Sequence, residues 1–393
     1  MHDLTDFGLR VLLVAGGLSA ALLGSKAIAR TSIPPAALFL AAAALASDIW
    51  PALHLSIETV EEIGTVALIV ILFDGGASIG WRRFRAAIGP IATLGIFGTF
   101  LTAALVAVFA REVLGLGWTE SGLLGAAIAP TDPAVMFSVL GEHEIEGRTD
   151  TILEGESGAN DPVGIALMIG LIELATSHGS FWVVVRIFAE QMSIGLAIGV
   201  AGGLLGRILA ARVDLPSAGL YTVRTLALSG VVYGLAAVAH GSGFLAVFVA
   251  GLLVGDVHGR YREETETFME GLSTLAEIVV FVALGLTVGL SQIDGSRWLD
   301  GVAAAVFLAL LARPLVVGAL LTPTSLDRGE RLFVMWGGLK GAVPILLAAF
   351  AVGHHVDHAV QLYDLVFVVV LLSVVVQGGT ITRAARRFGV ESG

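Results

Sequence analysis

Apolar runs long enough to cross a membrane occupy nearly all of this 393-residue chain, and that pattern leaves few folds open. A hydrocarbon layer ~30 Å thick needs about 20 residues of helix per crossing. Thirteen segments approach that length, with cores near 7–25, 33–50, 62–79, 87–110, 121–140, 151–175, 183–206, 219–239, 242–256, 272–291, 298–321, 329–352 and 360–382. Each backbone N–H and C=O must find a partner inside the layer, so helices are the expected solution. The sequence therefore predicts an all-α polytopic membrane protein of about 13 transmembrane helices, the ninth being the shortest. The segments leave no stretch for a soluble regulatory domain, so residues 1–393 read as one transmembrane unit. Asp3 and Asp6 precede the first run where a cleaved leader would carry basic residues, which predicts a retained span.

Charge is scarce and its placement is informative. Only 14% of residues are Asp, Glu, Lys or Arg, against about 25% in soluble domains. A net charge of −11 without a basic stripe argues against a nucleic-acid partner. No phosphate-cradling Gly-rich loop ending in Lys-Ser/Thr is present, which argues against nucleotide binding. The absence of cysteine excludes disulfides and thiolate metal sites, and no cofactor is expected. Fifteen Lys or Arg, among them Lys26, Arg82, Arg83, Arg85, Arg212 and Arg387, fall in one set of loops. Only Arg111, Arg186 and Arg297 fall in the other. Positive residues stay inside, so the C-terminus is expected in the cytoplasm and the N-terminus outside. Without a targeting segment, a prokaryotic plasma membrane is the expected location. The loop carrying His354, His355, Asp357 and His358 has metal-compatible spacing but reads as solvated. Gly16-Gly17 and Gly202-Gly203 are expected helix-packing contacts.

Several charges sit where lipid penalises them, and such residues carry function by default. At 1.5 Å per residue, Asp161 lies ~15 Å into the sixth segment. Asp74, Asp132 and Lys340 reach ~16 Å into theirs. Glu156 and Arg313 lie nearer the inner half. Lys340 is one of two lysines in the chain. Proline surrounds these charges: Ala129-Pro130-Thr131-Asp132-Pro133, Asn160-Asp161-Pro162 and Leu339-Lys340-Gly341-Ala342-Val343-Pro344. A proline removes one helical donor and frees the carbonyl four residues earlier, so breaks are expected around 129–134, 158–162 and 337–344. Broken backbone at this depth survives only where it is buried or lines a wet cavity. Two broken helices in corresponding positions of inverted halves mark many transporters. Spans 5 and 12 hold such positions and are expected to cross, with Asp132 facing helix N-termini and Lys340 helix C-termini.

At these residues the sequence resembles the NhaP-type Na⁺(K⁺)/H⁺ antiporters of the monovalent cation:proton antiporter family, which are related to the NHE exchangers. The resemblance rests on Leu72-Phe73-Asp74-Gly75-Gly76, Thr131-Asp132-Pro133, Glu156-Ser157-Gly158-Ala159-Asn160-Asp161-Pro162, Ala312-Arg313-Pro314 and Gly338-Leu339-Lys340-Gly341-Ala342. It runs through essentially the whole chain, and the family usually has Arg where Lys340 stands. It implies an inverted-repeat, NhaA-like fold and a homodimer in membrane lipid. It also implies exchange of Na⁺, K⁺ or Li⁺ for protons by alternating access, in the one-for-one electroneutral manner of the Asn-Asp form. Asp161 would be the shared cation and proton carboxylate, braced by Asn160. Ser157, Thr131, Asp74 and Asp132 would complete the binding set, Glu156 and Arg313 would pair, and Lys340 would compensate the dipoles.

Two other classes fit parts of the pattern. A passive cation channel shares the midplane charges without coupled protonation. An intramembrane serine protease is suggested by Gly155-Glu156-Ser157-Gly158 and Ala239-His240-Gly241-Ser242-Gly243. Nucleophilic catalysis needs Ser157 and His240 in contact, whereas the topology puts them toward opposite faces.

Overall fold

The computed structural model describes residues 34–140, 149–177, 180–257 and 259–390, together with 16 and 19. Of the first expected span only residues 16 and 19 are described, and Gly17, Lys26 and Arg148 lie outside the described residues. Within them the chain is helical and contains no strand. Its helices are α1 Pro35–Ile49, α2 Ile57–Ala86, α3 Ile88–Glu112, α4 Trp118–Ile128, α5 Pro133–Leu140, α6 Thr149–Ser177 and α7 Phe181–Arg212. There follow α8 Ala218–Val238, α9 Gly243–Gly255, α10 Arg262–Gly285, α11 Gly295–Leu321, α12 Arg328–Gly337, α13 Ala342–Gly353 and α14 Ala359–Phe388. Nine helices or continuous helix pairs among the described residues are long and apolar enough to cross a membrane, and α1 and α9 are shorter apolar helices. Each apolar segment expected between residues 33 and 382 coincides with one of these helices or with a broken pair.

Local chemistry sets the ends. Ser56 caps α2 by accepting from the Thr59 N–H at 3.3 Å, which satisfies one donor the first turn leaves over. Asp327 and Glu330 form a reciprocal capping box at the start of α12, with both bonds at 2.8 Å, the arrangement that fixes where a helix begins. At 13 residues α9 spans only ~20 Å. It is tolerated because it runs through the interior, where Ala246, Val247 and Ala250 are fully buried.

That interior position depends on glycine. A methyl on Gly251 would stand 2.2 Å from the Phe73 carbonyl oxygen of α2, so α9 and α2 meet backbone to backbone. Gly202 and Gly203 play the expected packing role on α7, against Val232 of α8 and against Ala250 and Leu253 of α9. Replacing Gly251 by Ala is expected to cost about 1–3 kcal/mol, because an overpacked contact must push two helices apart. The exposed Gly230, which has open space around it, should accept Ala with an unchanged melting temperature. Thermal unfolding in detergent checks both.

Two of the three expected breaks occur. The helix stops between α4 and α5 at Ala129–Asp132, and again between α12 and α13 at Gly338–Gly341. The third does not: α6 continues from Thr149 to Ser177 with Pro162 inside it. One proline forfeits one hydrogen bond, a loss that neighbouring helices can hold in place within a membrane protein. Tight packing does so here, with Phe248 against Gly158 and Pro130 against Gly164. At the other two sites a second proline or a pair of glycines adds to the loss, and the freed groups find distant partners.

Candidate ion-binding site

The two breaks lie against one another and stitch together through the main chain. The Asp132 N–H donates to the Leu339 carbonyl at 2.8 Å. The Lys340 Nζ, 1% exposed, donates to the carbonyls of Ala129 and Pro130, both at 2.8 Å. The ammonium thus satisfies the carbonyl freed by Pro133 and sits at the negative end of α4. In the other direction, the Asp132 carboxylate lies against Gly341 at the N-terminus of α13. A methyl on Gly341 would stand 1.8 Å from Asp132 Oδ2, so only glycine allows this approach. Each break receives from the other the charge its helix ends require.

Asp161 faces the crossing from α6. It is 5% exposed, and its Oδ1 has no hydrogen-bond partner among protein groups. An unmet acceptor at this depth is costly. Asp161 is within electrostatic reach of Asp132 and Lys340, and Ser157 stands one turn earlier on the same helical face. Asn160 turns to the broken strand of chain instead: its Nδ2 donates to Thr131 Oγ1 at 2.8 Å, and the Thr131 N–H donates to Asn160 Oδ1 at 3.3 Å. Its amide is therefore committed to Thr131, not to the neighbouring carboxylate.

Below Asp161 opens a cavity of about 210 Å³, whose wall includes Asp74, Asp132, Ser157, Asp161, Glu154 and Glu277. A larger cavity of about 440 Å³ adjoins it, sharing Asp74 and Ser78 in its wall and reaching Arg260 and Arg262 at the end of the bundle. Ala126, Ala127 and Ile128 of α4, Ala166 of α6 and Leu347 of α13 are fully buried.

Glu156 and Arg313 form a bidentate pair beside this cavity, at 2.8 and 3.1 Å, with side chains 4% and 6% exposed. Arg313 also donates to the carbonyls of Val334 and Met335 at 3.0 and 3.2 Å, closing the end of α12. Glu154, Glu277 and the pair Ser373–Gln377 escaped the sequence reading. Ser373 accepts from the Lys340 N–H at 2.9 Å and donates to Gln377 at 2.7 Å. Glu277 carried a signal, since it is an acid within an apolar span. Ser373 carried none, because serine is ordinary in membrane helices. His240 is exposed in the turn after α8, whereas Ser157 is buried on α6, so these two do not form a nucleophile–base pair. His354, His355 and His358 are exposed, and no metal-holding cluster occurs among the described residues.

Residues 17–387 match the family model described as "Sodium/hydrogen exchanger, transmembrane". The chain belongs to this exchanger family. As a transport family it is distinct from the intramembrane proteases considered above. Among the exchangers it resembles, the K(+)/H(+) antiporter NhaP2 of Shewanella sp. (strain MR-4) is 34% identical over 376 residues, covering 93% of this chain and 65% of that protein. The K(+)/H(+) antiporter NhaP of Alkalimonas amylolytica is 36% identical over 332 residues, covering 84% of this chain and 58% of the relative. This exchanger chain thus spans less than two thirds of the length of those relatives. A solved structure of the sodium proton antiporter MjNhaP1 from Methanocaldococcus jannaschii has the same fold, with a TM-score of 0.81 at 24% identity, covering 96% of this chain and all of that one.

Proposed function

We propose that this chain exchanges monovalent cations, Na⁺ or K⁺ and with them Li⁺, for protons across a membrane. The observation that carries the reading is the buried Asp161 carboxylate with its unmet Oδ1, lining a cavity shared with Asp74, Asp132 and Ser157. A carboxylate holds either a proton or a hard cation, and competition between them couples the two fluxes. Asp161 is the shared group, Ser157, Asp74, Asp132 and the Thr131 backbone supply further oxygens, and Asn160 fixes Thr131 at the crossing. Lys340 with Asp132 compensates the helix ends, and Glu156 with Arg313 holds α6 to the end of α12. The names of the relatives, K(+)/H(+) antiporters in Shewanella and Alkalimonas, support the class of substrate.

Alternating access follows from the desolvation cost of a bare charge. With either ligand bound the site is neutral and can pass between its inward- and outward-facing states; as an empty anion it would carry an uncompensated charge through the closed packing. The larger cavity opens among Arg260 and Arg262, the arginine-rich side that the positive-inside rule assigns to the cytoplasm. This is an inward-open state in a plasma membrane, with the N-terminus outside and the C-terminus inside. An inverted-repeat, NhaA-like arrangement of about 13 spans, a single transmembrane domain and a homodimer in lipid complete the proposal.

The test is exchange measured against conductance. Proteoliposomes holding a pH gradient are given Na⁺, K⁺ or Li⁺ while a pH-sensitive dye is followed, and the same protein is placed in a planar bilayer. Gradient dissipation on cation addition, without current and indifferent to an imposed potential, is the expected result. Ohmic conductance without proton coupling would make the chain a channel.

A further inference from the structure

Away from the ion site, a carboxylate oxygen is buried without a partner where α2 and α13 meet near the outer face. Both helices wall the cavity of about 210 Å³, through Leu68 and Ile71 on α2 and Ala342 and Val343 on α13. Followed away from the arginine-rich side, toward the start of α2 and the end of α13, the two helices touch. A methyl on Gly64 would stand 2.9 Å from Leu346, and one on Gly353 would stand 2.6 Å from Glu61 Oε1 and 3.0 Å from Oε2. The Glu61 carboxylate therefore lies against the last residue of α13. A route from the cavity to the outer face between these helices exists only when this contact parts.

An ionised Glu61 fits that position poorly. Its Oε1 is buried and receives no hydrogen bond from the protein, and an unmet acceptor costs free energy. The end of α13 is the negative end of its dipole. Glu58, one turn earlier on α2, adds a like charge within reach. The other titratable group that reaches Glu61 is His354, at the end of α13. Its Nδ1 stands 2.8 Å from the Phe350 carbonyl. A carbonyl only accepts, so Nδ1 carries the hydrogen and Nε2 is the atom that titrates. His354 is exposed, so solvent screens the charge it gains. A proton on the Glu61 carboxyl answers each conflict at once. It removes the charge that Glu58 and the helix end repel, and its O–H becomes a donor toward a carbonyl-rich helix end.

Building on the exchange reading above, which requires an outer face that opens and closes, we propose that Glu61 is a proton-operated latch. Protonated from the outside, it holds α2 against α13 and keeps the exchanger in the state described here. The contact is complete in acid and weakens as the outside turns alkaline and the carboxyl ionises. This proton is not exchanged: it comes from the outer medium and returns to it. It sets how often the outer face opens, separately from the coupling at Asp161.

The chain has no cysteine, so one introduced thiol can report the opening. Leu68→Cys places it on the cavity wall, and a membrane-impermeant thiol reagent is added outside right-side-out vesicles over a series of outside pH values. The labelling rate is divided by that of Leu68→Cys with Glu61→Gln, whose amide keeps the shape and a donor but never ionises. The ratio cancels the titration of the thiol and of Asp161. It is expected to be near one in acid and to rise roughly fivefold in alkali, the factor that one net hydrogen bond supplies. Glu61→Ala, with no latch to close, should label faster than the parent in acid. A ratio that stays flat, or a Glu61→Ala protein labelled no faster than the parent in acid, overturns the latch. If Leu68→Cys does not fold, Val343→Cys on α13 carries the same comparison. A thiol never reached from outside, even in Glu61→Ala, overturns the alternating-access reading itself, so the two failures are told apart.

Discussion

Asp161→Asn is expected to reduce cation-driven proton movement to the level of empty vesicles for Na⁺, K⁺ and Li⁺ alike. The amide has nearly the shape of the carboxylic acid but cannot release a proton or offer a negative charge to a cation. Nothing in the packing should resist it. Asp161 is 5% exposed and its Oδ1 has no protein partner, so the substitution removes a charge whose burial is costly. The melting temperature in detergent should therefore stay constant or rise. This pairing of outcomes matters, because inactivity through misfolding would lower both. Retained exchange in a folded Asp161→Asn protein would remove the carboxylate from the coupling step.

The second large effect concerns stability. Arg313→Ala is expected to destabilise the protein by about 3–5 kcal/mol, the usual cost of leaving one partner of a buried ion pair alone. Here the loss would be compounded. The guanidinium closes two carboxylate oxygens of Glu156 and the carbonyls of Val334 and Met335, and all would lose their donor. Replacing both members by apolar residues of similar volume, Arg313→Met with Glu156→Leu, should recover much of the stability, since no buried charge then remains. The carbonyls at the end of α12 would still lack a donor, so recovery should be incomplete. A double-mutant cycle on melting temperatures measures the coupling. Additive losses would show the pair to be incidental.

The residues differ in how openly they declared themselves. Asp161, Asp132 and Lys340 stood out because a charge in an apolar run is rare. The break at Ala129–Asp132 followed from Pro133, whose missing N–H is a local fact. Pro162 obeys the same chemistry, yet α6 runs through it. The difference lies in the surroundings, where Phe248 and Pro130 hold α6 at Gly158 and Gly164. Glu277 was hidden by averaging, since an apolar window absorbs one acid. Its significance depends on sharing a cavity wall with Asp132 and Asp161.

Hydrophobic lengths, the scarcity of charge and the positions of proline and glycine alone determined a helical membrane protein and two of its interruptions. These are properties of short stretches, set by the transfer of side chains into lipid and by the donors each residue owns. Only the tertiary structure decided which distant group answers each freed one. Lys340 meets Ala129 across 211 positions of sequence, Asp132 meets Gly341, and Asn160 turns to Thr131. Such pairings arise when helices cross at a particular depth and angle, and no local pattern records that geometry.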